Sequence, residues 1–310
     1  MSNWVTYKNG NYTVKLDLST GTKIRENDLS FFAPEKPESM DIKITNCCDM
    51  GCPMCHEDSK PNGKHGDILN VPFIDTLLPY TELAIGGGNP LSHPQIIPFL
   101  YELKDKKLIA NMTVNQKHFL ENKDFLKSLC DNKLIYGLGV SLTSVTDELI
   151  NSLKEFPNAV LHVINGMITM PELDSLAGNN FKILILGYKN FKRGEKYYEK
   201  NNERVDGLKN DLDTYLFPEI IHNGWFKVVS FDNLAIKQLH IQEQMPKEQW
   251  DKFYMGDDGG FTMYVDMVNG EFAKSSVSTK RYSITDNIVD MFNIVKEENH
   301  EQQESEERRS

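Results

Sequence analysis

The chain has 310 residues, 39% of them hydrophobic and 25% charged, which is the composition of a soluble globular protein. Its formal net charge of -11 disfavours a surface that attracts nucleic-acid phosphates, so we expect no direct DNA binding. No apolar run approaches the roughly 20 residues that span a bilayer, and no signal peptide is visible at the N-terminus. We therefore expect a cytoplasmic protein without membrane association.

The first part of the chain predicts a small β-meander. Asn9-Gly10 is a two-residue hairpin signal between two apolar runs, and Ser19-Thr20-Gly21 is a second turn. A proline-containing linker follows, so we expect residues 1–39 to form an N-terminal β-meander with its linker.

The central part of the chain alternates short apolar runs with stretches of helical spacing. The apolar runs are continuous, as in parallel strands that are covered on both faces. The predicted strands are residues 40–45, 82–86, 110–115, 136–142, 159–164, 181–187 and 225–231. The longest predicted helix covers residues 203–222. Repeated strand–helix units imply right-handed crossovers and a parallel sheet, so we expect an α/β fold with a partial (β/α)6-type TIM barrel over residues 40–240.

The alternation of strand and helix patterns ends after the seventh predicted strand. Asn269-Gly270 predicts another hairpin, which places a small β-hairpin extension within residues 241–295. Residues 296–310 are rich in glutamate and lack apolar periodicity, and they are predicted to form a disordered acidic tail.

The cysteines carry the main chemical signal. Four of the five lie within nine residues, and Cys48, Cys52 and Cys55 have the spacing C-x3-C-x2-C directly after the first strand of the central region. An electron-transfer cubane takes four thiolates, whereas three leave one iron with an open site. The alternative is a structural zinc knuckle with Cys47 or His56 as fourth ligand, but zinc sites more often use two separated Cys/His pairs.

This spacing, at this place in a βα series, resembles the radical S-adenosylmethionine (SAM) superfamily. The resemblance implies a [4Fe–4S] cluster on the three cysteines, with SAM bound to the open iron. It also implies reductive cleavage of SAM to a 5′-deoxyadenosyl radical that abstracts hydrogen from a substrate, with electrons from a donor such as flavodoxin or ferredoxin. The cofactors carry the difficult chemistry, and the protein orients them.

The second strand of the central region ends in a glycine-rich turn. Gly86, Gly87, Gly88, Asn89 and Pro90 resemble the family's GGEP segment, which holds the amino group of SAM. Asn89 stands where the family has a glutamate, so this position lacks the negative charge.

Further SAM contacts are implied at the ends of later strands, because active sites of βα barrels lie on that face. The polar candidates are Thr113, Asn115 and Ser141. Ile164 and Gly166 resemble the family's short segment near the adenine, and Leu186 and Tyr188 stand where the adenine pocket is completed.

The sequence leaves the substrate open. The acidic charge and the compact C-terminal region favour a small-molecule or nucleotide-like substrate. The alternatives are modification of a peptide or protein, including activation of a glycyl-radical partner, and a non-catalytic zinc or iron–sulfur module.

Overall fold

An N-terminal sheet of three antiparallel strands confirms the predicted meander. In this computed structural model the backbone is described for residues 3–307 and side chains are described to residue 299. The three strands are β1 (Trp4–Asn9), β2 (Tyr12–Asp17) and β3 (Lys23–Glu26). Asn9 pairs with Tyr12, so the two turn residues are Gly10 and Asn11, one position later than predicted, and Gly10 has a φ of 58°. Tyr12 and Val14 are buried against Phe261, so this sheet packs on the main body.

A ten-stranded sheet forms the main body, and all seven predicted strands of the central region are present in it. Its strands are β4 (Ser39–Thr45), β5 (Glu82–Gly87), β6 (Ile109–Asn115), β7 (Gly137–Ser141), β8 (Ala159–Ile164), β9 (Lys182–Leu186), β10 (Val228–Phe231), β11 (Thr262–Asp266), β12 (Glu271–Ala273) and β13 (Tyr282–Ser283). The order is β10-β9-β8-β7-β6-β5-β4-β11-β12-β13; every neighbouring pair from β10 to β11 is parallel, whereas β12 is antiparallel to both β11 and β13.

Helices connect the strands and cover one face of the sheet. They are α1 (Pro72–Asp75), α2 (Ile96–Asp105), α3 (Gln116–Glu121), α4 (Lys123–Asp131), α5 (Asp147–Leu153), α6 (Met170–Leu176), α7 (Arg193–Tyr215), α8 (Asn233–Gln238), α9 (Ile241–Gln244), α10 (Lys247–Phe253) and α11 (Ile288–Glu307). A 3₁₀ turn spans Pro90–Ser92, and a π-helical turn spans Leu216–Ile221. No helix of residues 3–307 has both the length and the apolarity needed to cross a membrane.

The two faces of the sheet differ in chemistry. Met40, Ile42 and Ile44 of β4 are buried in one apolar core with the helices. Asp41 and Lys43 alternate with them and therefore point to the inner face. A cavity of about 450 Å³, here called the inner cavity, is lined by residues of β4, β5, β6 and β10. Strands so far apart in the sheet order can border one cavity only if the sheet curves. The α/β partial barrel is thus confirmed, and within residues 3–307 the sheet does not close.

The C-terminal hairpin belongs to the main sheet. Strand β11 pairs in parallel with β4, with Tyr264 opposite Asp41, and β12 returns beside it after the predicted turn. The sequence predicts the hairpin but places it in an extension. Hairpin signals report local pairing and carry no information about which distant strand receives the hairpin.

Two helices extend beyond their predicted bounds. Helix α7 starts at Arg193 and is kinked at Asn201, which has a non-helical φ of -138°, and the helix predicted from residue 203 corresponds to the part after this kink. Helix α11 runs to Glu307, through residues for which the sequence predicts a disordered tail, and residues 308–310 lie outside the described residues. Buried Ile288, Met291 and Val295 anchor this helix at helical spacing. The following glutamates and glutamines are good helix formers and prolong it.

Candidate active site

The three predicted cluster cysteines lie in a loop that follows β4. Backbone N–H groups of Asn46 and Cys48 donate to the carbonyl oxygens of Lys64 at 2.8 Å and Lys60 at 2.9 Å. Thr45 Oγ1 lies 2.9 Å from His65 Nδ1. The loop therefore folds back on itself and presents its cysteines from a braced backbone at the C-terminal end of the strand.

The thiols of Cys48, Cys52 and Cys55 are half-buried and close enough to interact. None forms a disulfide in the described chain. Burial raises the pKa of the Cys48 thiol, and the neighbouring Cys55 raises it further. The pKa of Cys52 is raised first by burial and then by Cys55 and Cys48. Three neighbouring cysteines supply three thiolate ligands when deprotonated, so the donor set fits an iron–sulfur cluster.

The zinc alternative fits poorly. Two sulfurs on one zinc, each at about 2.3 Å, lie at most about 4.6 Å apart. Among the described residues, the one group of three potential ligand atoms within 4.8 Å of one another is Cys48, Asp49 and His118. This group contains one of the three cysteines, so the three sulfur atoms are not gathered closely enough to share one zinc ion. Cys47 Sγ instead lies 3.2 Å from the carbonyl oxygen of Pro61, and His56 Nε2 lies 3.4 Å from Lys189 Nζ.

The glycine-rich turn after β5 holds the cysteine loop. The N–H of Gly88 donates to the Thr45 carbonyl and that of Asn89 donates to the Cys47 carbonyl, both at 2.7 Å. A Cβ on Gly88 would lie 2.3 Å from the Cys47 oxygen, so only glycine permits this approach. Gly87 has a φ of 110°. By contrast, a Cβ on Gly86 would meet nothing within 4 Å, so there is open space at this residue.

Asn89 has a local structural role. Its Oδ1 accepts a hydrogen bond from the Leu91 N–H at 3.1 Å and starts the 3₁₀ turn, in which Pro90 is buried. The side-chain oxygen that could meet an ammonium group therefore already accepts one hydrogen bond from the backbone.

A second brace connects the cysteine loop to α3. Asp49, next to the first cysteine, lies 2.6 Å from His118 Nε2 and 2.9 Å from Lys117 Nζ. These hydrogen bonds lower the pKa of Asp49, that from Lys117 most. Sequence reasoning missed this pair, since no spacing connects residues so far apart along the chain.

A buried ion network ties the loop to β4 and β11. Lys43 Nζ lies 2.9 Å from a Glu57 carboxylate oxygen and 3.0 Å from one of Asp266, and all three side chains are buried. Burial alone would lower the pKa of Lys43, but the two carboxylates outweigh it and the pKa is raised. Glu57 lies two residues after the third cysteine and also accepts from Tyr264 Oη at 3.3 Å.

The structure brings three of the predicted SAM contacts to the inner face. Asn111 borders the inner cavity, so Thr113 and Asn115 face the same side of β6 by alternation. Ser141 lies beside Asn115 in the next strand. Asn115 Oδ1 also accepts from the Lys117 N–H at 3.0 Å and caps α3.

The predicted adenine contacts divide into two groups. Ile164 and Leu186 are half-buried at the ends of β8 and β9. Gly166 and Tyr188 pack against α7: a Cβ on Gly166 would lie 2.9 Å from a Val205 methyl carbon, and Tyr188 Oη donates to the Gly194 carbonyl at 2.7 Å.

His162 is a candidate site residue that sequence reasoning missed. It lies beside Ser141 in the sheet, and a Cβ on Gly139 would come within 2.7 Å of His162 Nε2 and of Thr113 Oγ1. Burial lowers the pKa of His162 to about 4, so its imidazole is neutral near pH 7. Strand alternation was the available signal, since it places residue 162 on the same face as Ile164.

Asp41 is the acidic group at the floor of the inner cavity. Its side chain is accessible from the cavity, yet the surrounding protein limits its hydration and raises its pKa to about 6. Lys189 opposes this rise, whereas Asp258 and Asp232 add to it. The inner cavity is therefore polar, and its five carboxylates outnumber its three cationic residues, Lys23, Arg25 and Lys274.

A curved parallel sheet with cysteines at the C-terminal end of one strand is the fold that this chain shares with solved structures of another protein. Crystal structures of Streptococcus suis SuiB are similar to this chain. SuiB bound to precursor peptide SuiA matches with a TM-score of 0.62 at 11% identity, over 94% of this chain and 87% of SuiB. SuiB bound to S-adenosylmethionine matches with a TM-score of 0.59 at 12% identity, over 91% and 85%. No family model and no curated protein matches the sequence.

Proposed function

We propose that this chain is a radical SAM enzyme that modifies a peptide. The observation that carries the proposal is the position of three adjacent thiols at the C-terminal end of β4, beside the open space at Gly86. In this proposal Cys48, Cys52 and Cys55 hold a [4Fe–4S] cluster, and a reduced flavodoxin or ferredoxin supplies the electron. When bound, the cluster supplies the reducing electron that cleaves SAM.

The remaining residues of the site would bind and orient the cofactor. The Gly86–Pro90 turn forms the wall next to the cysteines, and Thr113, Asn115 and Ser141 offer hydrogen-bonding groups along the inner face. Ile164 and Leu186 provide apolar surface beside them. In this arrangement Gly166 and Tyr188 do not contact the cofactor. They position the ends of β8 and β9 by packing against α7.

A peptide substrate is favoured over the small molecule or nucleotide expected from the sequence. One similar structure is SuiB bound to a precursor peptide. The open sheet supports the same choice, because an unclosed barrel admits an extended chain from the side. The small-molecule prediction depended on overall charge and on the compact C-terminal region, neither of which describes the shape of the cavity.

Anaerobic reconstitution with iron and sulfide tests the cofactor proposal. The expected result is a protein with broad visible absorbance that forms 5′-deoxyadenosine from SAM under dithionite. Cys52→Ala should abolish both signals. Cys130→Ala is the matched control, because Cys130 lies on α4 away from the loop and should leave both unchanged. Stoichiometric zinc without a cluster, or full activity in Cys52→Ala, would refute the proposal.

A further inference from the structure

An apolar groove of about 630 Å³ runs along β10, the last strand on one side of the sheet. Val228, Val229, Ser230 and Phe231 all line it. Successive side chains of a strand point to opposite faces, so four consecutive residues can border one groove only along the edge of the strand. In the described part of the chain no strand pairs with this edge, which leaves backbone N–H and C=O groups available.

The walls of the groove expose large apolar side chains. Val228 is 44% exposed on the strand, and Phe253 and Met255, at the end of α10 and just after it, are 62% and 43% exposed. Ile221 of the π-helical turn completes the apolar surface at 37% exposure. Exposed apolar residues gathered around a free strand edge mark an interaction site.

The groove continues into the inner cavity. Phe231, Asn233, Met255 and Gly256 line both spaces. Asn233 Nδ2 bridges this shared wall by donating to Asp258 Oδ1 at 2.8 Å and to the Gly256 carbonyl at 3.3 Å. A chain that lies along β10 would therefore reach the inner cavity without crossing the core.

Charge changes sign along this path. Lys227 lies at the far end of the groove near Lys182, and neither lysine has an ion-pair partner among the described residues. At the cavity end lie Asp41, Asp232 and Asp258. A complementary ligand carries an acidic group at one end, apolar groups in the middle and a basic group at the end that enters the cavity.

We propose that this groove docks an extended segment of the peptide substrate, which adds as a strand to the free edge of β10. Main-chain hydrogen bonds supply affinity in this mode, and alternate side chains supply selectivity. Alternating apolar residues of the peptide contact Phe253 and Met255, an acidic residue lies near Lys227, and a basic residue leads into the inner cavity. The inference rests on the proposed peptide substrate.

The test measures binding of a labelled synthetic peptide by fluorescence anisotropy, with the full chain free of cluster and SAM. The probe alternates valine and threonine, with glutamate at one end and lysine at the other, and is made in both orders. A matched peptide carries N-methyl groups on alternate residues, which block strand pairing on one edge. At least one order should bind, and N-methylation or Phe253→Ser should weaken binding more than about tenfold. Lys227→Glu should also weaken it, whereas Phe125→Ser, an exposed aromatic change on α4, should not.

Three results would overturn the proposal: no binding of either peptide, equal binding of the N-methylated probe, or unchanged binding to Phe253→Ser. A concentration-dependent dimer that Val228→Asp abolishes, with no peptide bound, would show that a second copy occupies the groove and would also overturn it. Because the measurement needs no cofactor, its failure is distinct from failure of cluster formation or SAM cleavage.

Discussion

Gly86 and Gly88 lie two residues apart in one turn and have opposite surroundings. A Cβ at Gly88 would collide with the backbone of Cys47, and a Cβ at Gly86 would project into open space. The turn therefore has two tasks, since one glycine permits close packing on the cysteine loop and the other leaves room for a ligand.

Replacing Gly88 with alanine should distort the cysteine loop. We expect Gly88→Ala to lower the free energy of unfolding by about 1–3 kcal/mol, as overpacking does. Bound iron after reconstitution should fall as well, because the Cys47 carbonyl must move. Urea unfolding of the apo protein and iron analysis measure the two effects.

Gly86→Ala is the control within the same turn. Its free energy of unfolding should stay within about 0.5 kcal/mol of that of the parent chain. Its affinity for SAM should fall if the space beside Gly86 receives the cofactor. Equal iron content in Gly88→Ala and the parent would contradict the bracing role of the turn.

His162 gives the stability of the fold a pH dependence of known sign. Its pKa falls from 6.5 to about 4 because burial disfavours the imidazolium. Below pH 6.5 the unfolded chain therefore binds more protons at this residue than the folded chain does. The stability that neutral His162 contributes is fully present above that pH and is lost as the pH falls toward 4. At about pH 5 the loss is at most about 2 kcal/mol.

The variant His162→Gln should remove this component. Urea unfolding at about pH 7.5 and about pH 5 should show a smaller drop in stability for the variant than for the parent chain. An identical drop in both proteins would show that His162 is protonated in the folded state at the lower pH.

Among the secondary-structure elements, three that are distant in sequence hold the cysteine loop in place. The cysteine loop is held to β5 by backbone hydrogen bonds, to α3 by Asp49, and to β11 by Glu57 and Asp266 through Lys43. The C-terminal hairpin, which the sequence places in an extension, thus contributes Asp266 to the contacts that hold the cysteine loop.

Lys43→Met should break the last of these connections. It would leave two buried carboxylates without their common cation, and the expected cost is about 3–5 kcal/mol in the free energy of unfolding. Lys15→Met is the control, because its ion pair with Glu26 is exposed and should contribute no more than about 1 kcal/mol. Similar losses in the two variants would argue against the buried network.

At the scale of the whole molecule, helix α11 closes the apolar side of the sheet. Ile288, Met291, Phe292 and Val295 are fully buried in the same core as the strands. Each such side chain contributes about 1.5–3 kcal/mol when buried. Together they approach the total stability of an ordinary domain, which is about 5–15 kcal/mol.

The effect of C-terminal truncation on stability should therefore depend on whether these four side chains are removed. Deleting residues 300–310 removes none of these four side chains and should change the melting temperature by less than about 4 °C. Deleting residues 288–310 should yield a chain that does not fold cooperatively. Thermal unfolding followed by circular dichroism distinguishes the two, and cooperative melting of the longer deletion would contradict this role of α11.

The parallel strands, the two hairpins and the three cysteines were predictable from local patterns, because each depends on residues that are close together along the chain. Apolar runs, Asn-Gly turns and the C-x3-C-x2-C spacing are all local signals. The glycine-rich turn was also visible, but the two roles of its glycines were not.

Tertiary structure alone decided which distant groups meet at those cysteines. Asp49 and His118, Lys43 and Asp266, and the free edge of β10 beside α10 come together through sheet order and packing, and no spacing encodes them. The same holds for the hairpin that joins β4 and for the glycines that fit only against another segment. Contacts of long sequence separation depend on the whole core, so they follow from the fold and not from any one motif.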